Sequence, residues 1–184
     1  MISESVGVIG GLIVLAGHFP LYVGIVRKTI KPSFATWSMW SVLGTSIVVS
    51  QVLAGKEDPW GMLAAACGTI IATVLLFFYG KRIWGKYETK CLVLAVMGYV
   101  VWIFSGPAIA QIAFLVSLTI AGGPTIRNVC SNPKDESSLV WGIFTFGFFL
   151  TMISVQDWAS YVNWIQPVVS VLFNLLIFSF ALRK

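Results

Sequence analysis

Charged side chains are scarce in this sequence. Only 10% of its 184 residues are Asp, Glu, Lys or Arg, whereas 58% are hydrophobic. An ordinary soluble domain contains roughly 25% charged residues. The polar residues are too few to cover a soluble globule, so we expect lipid to surround most of the surface. The whole chain is therefore expected to form one compact membrane domain.

Histidine and cysteine are also rare. The single His and the three scattered Cys have the spacing of neither a metal site nor a disulfide framework. Every Asp and Glu lies in a connection or at the end of an apolar segment, so no paired carboxylates and no nucleophile–base set lie within an apolar segment. The sequence therefore indicates a protein that is not an enzyme and that uses no cofactor and no metal. The N-terminus lacks the basic stretch of a cleaved signal peptide, so we expect the first helix to be retained.

Seven apolar runs each approach the roughly 20 residues that a membrane-spanning helix needs. The two shortest are the fourth and the sixth, and only Gly106-Pro107 separates the fourth from the fifth. A proline can break a helix at such a point. The sequence therefore predicts an all-α integral membrane protein with seven transmembrane helices: Val6–Val26, Phe34–Ala54, Trp60–Gly80, Thr89–Ser105, Ala108–Ile126, Leu139–Val155 and Tyr161–Leu182.

The basic residues are distributed unevenly over the connections between these runs. The odd-numbered connections and the C-terminal tail hold 11 of the 12 Lys and Arg, and the even-numbered connections hold only Lys56. Lys and Arg stay preferentially on the cytoplasmic side of a membrane. We therefore predict an N-terminus outside and a cytoplasmic C-terminus. This asymmetry also explains the net charge of +5 without nucleic-acid binding.

A shift of 104 residues brings similar features of the two halves together. Pro20 falls on Pro124, Ser33 on Ser137, Trp37 on Trp141 and Trp60 on Trp164. Three apolar runs and their basic ends coincide, and only the fourth run has no counterpart. An extra helix between two three-helix units lets both units point the same way across the membrane. We therefore predict a 3+1+3 parallel repeat: residues 1–80 as the first unit, 81–107 as the linker helix and 108–184 as the second unit.

This arrangement resembles the SWEET and PQ-loop superfamily of seven-helix transporters. The resemblance covers the whole chain and rests on the 3+1+3 layout, the orientation, and Pro20 and Pro124 near the cytoplasmic ends of helices one and five. It departs from the family at motif level, because Leu21 and Thr125 stand where the signature glutamine follows the proline. The resemblance implies the same fold and a midplane cavity between two bundles.

The candidate solute-binding residues are polar or aromatic groups inside the apolar runs. Asn174 is the strongest, because a deep amide is costly unless it faces a cavity or a partner helix. The resemblance supports it, since the family's third and seventh helices carry asparagines that contact sugar. The remaining candidates are Trp37, Trp40, Trp141, Thr69 and Ser41. The tryptophans could stack on a solute or form an interfacial aromatic belt, and Asn174 could bond a neighbouring helix instead.

Four residues are candidates for a hinge or gate. Pro20 and Pro124 could bend their helices to open a cytoplasmic gate, or mark static kinks. His18, the only His, could couple transport to protons, or be a solvated or hydrogen-bonded structural residue near the end of a helix. Gln111 lies near the outer start of helix five and could line an outer gate.

These observations favour a transporter that moves a small neutral or zwitterionic, sugar-like solute by uncoupled alternating access. Two alternatives stay open: a seven-helix sorting receptor that binds a peptide tail, and a structural membrane protein without transport. The expected partners are a small solute and the lipid bilayer, with no nucleic acid and an oligomeric state that the sequence leaves open. We expect a multi-pass protein of a bacterial inner membrane.

Overall fold

The computed structural model of the chain describes residues 2–56, 58–81 and 84–183. Glu57, Arg82 and Lys184, which entered the charge argument above, lie outside these ranges. In the described residues the secondary structure is helical. The helices are α1 Ile2–Val26, α2 Phe34–Leu53, α3 Trp60–Tyr79, α4 Lys86–Ala121, α5 Gly123–Ser131, α6 Ser138–Ile153 and α7 Tyr161–Ala181, with a 3-10 turn at Pro133–Asp135.

Four stretches are long and apolar enough to cross a membrane: Ser3–Val26, Trp60–Tyr79, Lys86–Ser131 and Tyr161–Ala181. Helix α6 is apolar but shorter, and α2 carries several hydroxyl side chains that lower its hydropathy. Large apolar side chains such as Phe78, Ile103 and Phe104 are mostly exposed on the outside of the bundle, where lipid would contact them. The chain is an all-helical, integral, multi-pass membrane protein.

Helix α4 reverses direction at Gly106. This residue has φ 79° and ψ 175°, a conformation that is essentially open only to glycine. The hydroxyl of Tyr87 donates a hydrogen bond to the carbonyl oxygen of Ile120 at 2.5 Å, although 33 residues separate them. A straight helix would place these residues roughly 50 Å apart. Residues 86–105 and 107–121 are therefore two antiparallel helical arms, here called α4a and α4b.

The second arm ends earlier than the sequence suggested. We expected one helix over Ala108–Ile126, but α4b ends at Ala121 and α5 begins at Gly123. Gly122 and Gly123 favour a helix less than other residues do, and Pro124 cannot donate a backbone hydrogen bond. Pro124 therefore lies in the first turn of a new helix, where no such bond is needed. Pro20, by contrast, lies inside the continuous helix α1.

Serine caps start two of the helices at the end of the bundle that carries the charged hairpins. The Ser33 hydroxyl accepts a hydrogen bond from the Thr36 amide at 3.3 Å, and the Ser137 hydroxyl accepts one from the Val140 amide at 3.4 Å. These caps stabilise α2 and α6 at their N-termini. The two hairpins meet where the Lys31 ammonium lies 4.0 Å from the Asp135 carboxylate. We call this end of the bundle the basic end.

The helices form a closed ring. Helix α1 packs against α3 and α6, α2 packs against α3 and α4, and α7 packs against α6, with smaller contacts to α4 and α5. Close approach of α1 and α6 depends on glycine, because a Cβ on Gly10 would lie 2.7 Å from the carbonyl oxygen of Gly147. The order around the ring is thus α1, α3, α2, α4, α7 and α6. The space that this ring surrounds contains the candidate site.

Candidate functional site

A central cavity of about 70 Å³ lies inside the ring. Side chains of α1, α2, α3, α4b, α6 and α7 line it, so every member of the ring contributes to its wall. Typical ligand pockets measure roughly 300–1,000 Å³. The cavity in this conformation is therefore narrow, and a solute larger than a few waters would have to push its walls apart.

Five of the six predicted solute-binding residues line this cavity: Asn174, Trp40, Trp37, Trp141 and Thr69. Ser41 does not. Its hydroxyl donates to the carbonyl oxygen of Trp37 at 2.9 Å and also bonds the hydroxyl of Thr73 at 2.8 Å. Ser41 therefore ties α2 to α3 behind the cavity wall.

Aromatic rings make up much of the wall. Trp40 lies at the centre of the group, with ring centroids 5.2 Å from Trp37, 6.1 Å from Trp141 and 5.8 Å from Phe173. Trp37 and Trp141 each lie one turn inside the start of their helix at the basic end. Trp37 and Trp141 therefore line the side of the cavity that faces the basic end, and Trp40 lies one turn further in.

Two of the three tryptophans, Trp40 and Trp141, donate a hydrogen bond from the ring nitrogen. The Trp40 indole N–H donates to the carbonyl oxygen of Leu118 at 3.0 Å. The Trp141 indole N–H donates to the Glu136 carboxylate at 3.0 Å. Glu136 lies in the connection before α6 but is only 4% exposed, which its position in a polar loop did not suggest. These bonds fix the ring orientations, so the aromatic wall is preorganised.

His18 contributes to the same cavity. Its ring is 2% exposed, lies 4.6 Å from the ring of Phe144 between centroids, and occupies the space where a Cβ of residue 68 would be. The Nδ1 atom lies 2.8 Å from the carbonyl oxygen of Val14. Of the two alternatives to a coupling role, the structure excludes a solvated histidine and agrees with a hydrogen-bonded one. Gly68 of α3 creates the space that draws the ring into the wall.

Gln111 lies outside the central cavity wall. Its side chain is fully buried, and its amide nitrogen donates to the carbonyl oxygen of Val162 at 3.1 Å. Its side-chain oxygen is buried without a hydrogen-bond partner among the described residues. Gln111 thus joins α4b to the start of α7 at the end of the bundle opposite the basic end.

A second, larger cavity of about 350 Å³ lies at that opposite end. We call it the polar cavity, because its wall includes Lys56, Asp58, Thr151, Asp157, Asn163 and Gln166. The Gln166 amide nitrogen donates to the Ser170 hydroxyl at 2.9 Å. Since Ser170 lines the central cavity, this bond joins the walls of the two cavities. The two spaces are therefore neighbours along the axis of the bundle.

Lys56 is an unusual residue in this polar cavity. It is only 9% exposed, and its ammonium donates to the carbonyl oxygen of Asn163 at 2.7 Å. Burial lowers the pKa of Lys56 to about 8, and the nearby carboxylate of Asp58 opposes that shift. A lysine in a short polar connection is normally solvated. The bond to Asn163 instead draws the α2–α3 connection over the start of α7.

Sequence reasoning missed several residues of the two cavities. Ser170 and Gln166 lie four and eight residues before Asn174 on one face of α7, so helical spacing could have found them. Phe144 and Phe173 lie 104 residues after Trp40 and Thr69, so the predicted repeat could have assigned them. Neither helical spacing from a predicted residue nor the 104-residue repeat indicates Thr119 of α4b.

No protein-family model matches the chain, and neither a curated protein nor a solved structure is significantly similar to it. The chemistry of the site therefore has to be argued from these side chains alone.

Proposed function

We propose that this protein is a membrane transporter, and that the central cavity holds a small neutral or zwitterionic solute during alternating access. The observation that carries this proposal is the cavity itself, which lies inside a ring of long apolar helices and has a mainly apolar, aromatic wall that a few polar side chains interrupt. Polar groups at membrane depth are costly and generally face a pathway or a partner. Here Asn174, Thr69, Thr119, Ser170 and His18 converge on one space.

The wall also supports the proposed duplication. Five pairs of residues separated by 104 positions line the cavity together: Val14 with Leu118, Trp37 with Trp141, Trp40 with Phe144, Ala65 with Val169, and Thr69 with Phe173. The serine caps of α2 and α6 have the same spacing. A twofold axis along the bundle would exchange α1 with α4b, α2 with α6 and α3 with α7. Such an axis would generate the ring order α1, α3, α2, α4b, α7 and α6.

On this proposal the chain has seven transmembrane segments, with α4a as the linker helix between two three-helix units. The fold would then be that of a divergent relative of the SWEET and PQ-loop transporters. The basic end would face the cytoplasm, and the polar cavity would open to the other side. A bacterial inner membrane remains the location that we propose.

The two ends of the central cavity differ in a way that suits alternating access. Packed tryptophans line the central cavity toward the basic end, whereas the polar cavity adjoins the other end. Pro20 lies inside α1, and Pro124 lies in the first turn of α5, directly after α4b. We therefore propose that the prolines act as hinges and that the present conformation is closed toward the basic end.

One observation favours the sorting-receptor alternative. A receptor for a peptide tail needs a cation to hold the terminal carboxylate, and Lys56 lies in the wall of the polar cavity. Such a receptor would bind short peptides at Lys56 and would move no solute. Flux measurements therefore separate the two candidates.

The test is flux in proteoliposomes that contain the purified chain, with a panel of radiolabelled sugars, polyols and amino acids. We expect one solute class to equilibrate in both directions, to stop at its equilibrium distribution and to be insensitive to uncouplers. Asn174→Leu should abolish this flux. Ser179→Leu is the matched control, because Ser179 makes the same bond to its own helix on the exposed face of α7. Absence of flux for every solute would reject the proposal, and uphill accumulation driven by an ion gradient would reject the uncoupled mechanism.

A further inference from the structure

Most polar side chains of the central cavity already donate their hydrogen-bonding hydrogens to backbone carbonyl oxygens. The Thr69 hydroxyl donates to the carbonyl oxygen of Ala66 at 3.0 Å, and the Thr119 hydroxyl donates to that of Leu115 at 2.8 Å. A hydroxyl has one hydrogen and two lone pairs. Both threonines can therefore offer a solute only acceptor lone pairs.

His18 and Asn174 likewise use side-chain hydrogens on backbone carbonyl oxygens of their own helices. A carbonyl oxygen only accepts, so the 2.8 Å contact with Val14 places the hydrogen of the neutral imidazole on Nδ1. Nε2 is then a bare acceptor with no hydrogen-bond partner among the described residues. The Asn174 amide nitrogen donates to the carbonyl oxygen of Ser170 at 2.7 Å, which leaves its side-chain oxygen and one hydrogen.

Two of the three tryptophans use their ring N–H elsewhere. Trp40 and Trp141 donate to Leu118 and Glu136, so these two indoles offer the cavity only their π systems. The ring planes are steeply inclined, at 70° between Trp37 and Trp40 and 80° between Trp40 and Trp141. Steeply inclined rings form the adjoining walls of a box, and aromatic faces are electron-rich.

The remaining hydrogens are few. They belong to the Trp37 indole, the Ser170 hydroxyl and the second amide position of Asn174, and lone pairs outnumber them. The described side chains that line the cavity include no Asp, Glu, Lys or Arg. The carboxylate or phosphate of a solute would find too few donors inside this cavity, so it would have to lie outside it, toward the adjoining polar cavity whose wall includes Lys56. A polyol needs about as many donors as acceptors, whereas an ammonium group needs acceptors and π faces only.

We propose that the central cavity recognises the alkylammonium group of its solute. This inference rests on the proposed transport function and chooses the zwitterionic solute over the sugar-like one. The ammonium would lie among the faces of Trp40, Trp141 and Phe173 and take its polar contacts from Asn174, Thr119 and His18. The aromatic faces suit a methylated ammonium in particular, because its methyl groups pack against the rings, and the acceptor atoms turn their negative charge toward the cation without needing an N–H.

Equilibrium binding to the purified chain in detergent tests the assignment, with radiolabelled glycine betaine as the probe. The competitor 3,3-dimethylbutanoate has the same shape but carries carbon in place of the charged nitrogen. We expect it to compete at least about tenfold more weakly than unlabelled glycine betaine, because it lacks the positive charge that the aromatic faces would attract. Glucose should not compete. Equal competition by the carbon analogue, stronger competition by glucose, or no binding of glycine betaine at millimolar concentration would overturn the assignment.

Two variants sharpen the test. Asn174→Asp adds a negative charge without loss of volume, so it should tighten glycine betaine binding about tenfold or more. A sugar site would instead weaken with the same change, and unchanged or weaker betaine binding would contradict the ammonium assignment. Trp40→Leu should lower betaine affinity at least about tenfold, whereas Trp84→Leu, on the exposed α3–α4 connection, should not. Equal affinity in the two tryptophan variants would also overturn it.

The two proposals can fail separately. Selective glycine betaine binding without flux of any solute would leave the ammonium site standing and reject the transporter. Sugar flux, together with equal binding of glycine betaine and its carbon analogue, would support the transporter and reject the ammonium site.

Discussion

The indole N–H of Trp40 donates a hydrogen bond to the carbonyl oxygen of Leu118, 3.0 Å away and 78 residues further along the chain. Both residues line the central cavity, one from α2 and the other from α4b. The bond therefore joins the two halves of the chain at the cavity wall. A movement that separates the halves must break or redirect it, so its geometry reports on the closed state.

The reversal of α4 depends on Gly106. We predict that Gly106→Ala lowers the free energy of unfolding by about 1–3 kcal/mol, because a side chain is strained at φ 79°. Thermal denaturation in detergent would measure this loss. Ser105→Ala, at the exposed neighbouring position, is the control and should change little. If the two variants are equally stable, the tight reversal at Gly106 is not a constraint on the fold.

Burial of Lys56 predicts a pH dependence of stability. The folded-state pKa of about 8 lies below the ordinary value of 10.5, so between these pH values the unfolded chain binds a proton that the folded chain lacks. Stability should therefore rise as the pH increases from about 8 to 10.5. The gain is at most about 3.5 kcal/mol, from a pKa difference of about 2.5 at roughly 1.4 kcal/mol for each unit.

Substitution isolates this effect of Lys56. As the pH rises from about 8 to 10.5, the wild type should become more thermally stable relative to the Lys56→Met variant. The exposed Lys81→Met variant should follow the wild type at every pH. Parallel curves for the wild type and Lys56→Met would show that the ammonium is solvated.

The proline hinge makes a kinetic prediction. Pro20→Ala restores a backbone N–H within α1, which stiffens the helix without touching the cavity. We expect solute flux to fall several-fold while the equilibrium affinity for the same solute stays within about twofold. Pro133→Ala, in the 3-10 turn at the basic end, is the control. Equal losses of flux and affinity would favour a static kink.

Orientation can be tested in intact cells. Cys67, Cys91 and Cys130 are first replaced, and a single cysteine is then placed at Asp58 or at Lys86. The charge asymmetry predicts that an impermeant thiol reagent modifies position 58 and leaves position 86 unmodified until the cells are opened. The reverse pattern would invert the proposed topology.

The sequence was most informative where one local signal sufficed. The starts of α2, α3 and α7 at Phe34, Trp60 and Tyr161 were predicted at the correct residue, because a long apolar run meets a polar or proline-containing connection there. Asn174 could be assigned to a cavity because a deep amide in an apolar helix has few other uses. The tryptophans could be paired by their spacing alone.

Other features depend on contacts between distant parts of the chain. His18 lies close in sequence to the charged connection after α1, so we expected it near the membrane surface. Its ring instead occupies the space beside Gly68 of α3, in the cavity wall. Ser41 lies one turn from Trp37, yet its hydroxyl meets Thr73 instead of the cavity. Burial of Lys56 depends on Asn163, 107 residues away. Such pairings exist only once helices have packed, so one sequence could not reveal them.

Accessibility of the central cavity from both sides of the membrane tests the transport proposal without knowledge of the solute. In the cysteine-free background, Ser170→Cys places one thiol in the cavity wall, and Ile71→Cys places one on the outer surface near the middle of α3 as a control. Sealed proteoliposomes of uniform orientation are then treated with an impermeant thiol reagent from outside or from within. Alternating access predicts modification of position 170 from either side and none at position 71. Modification of position 170 from only one side, or from neither, would contradict it.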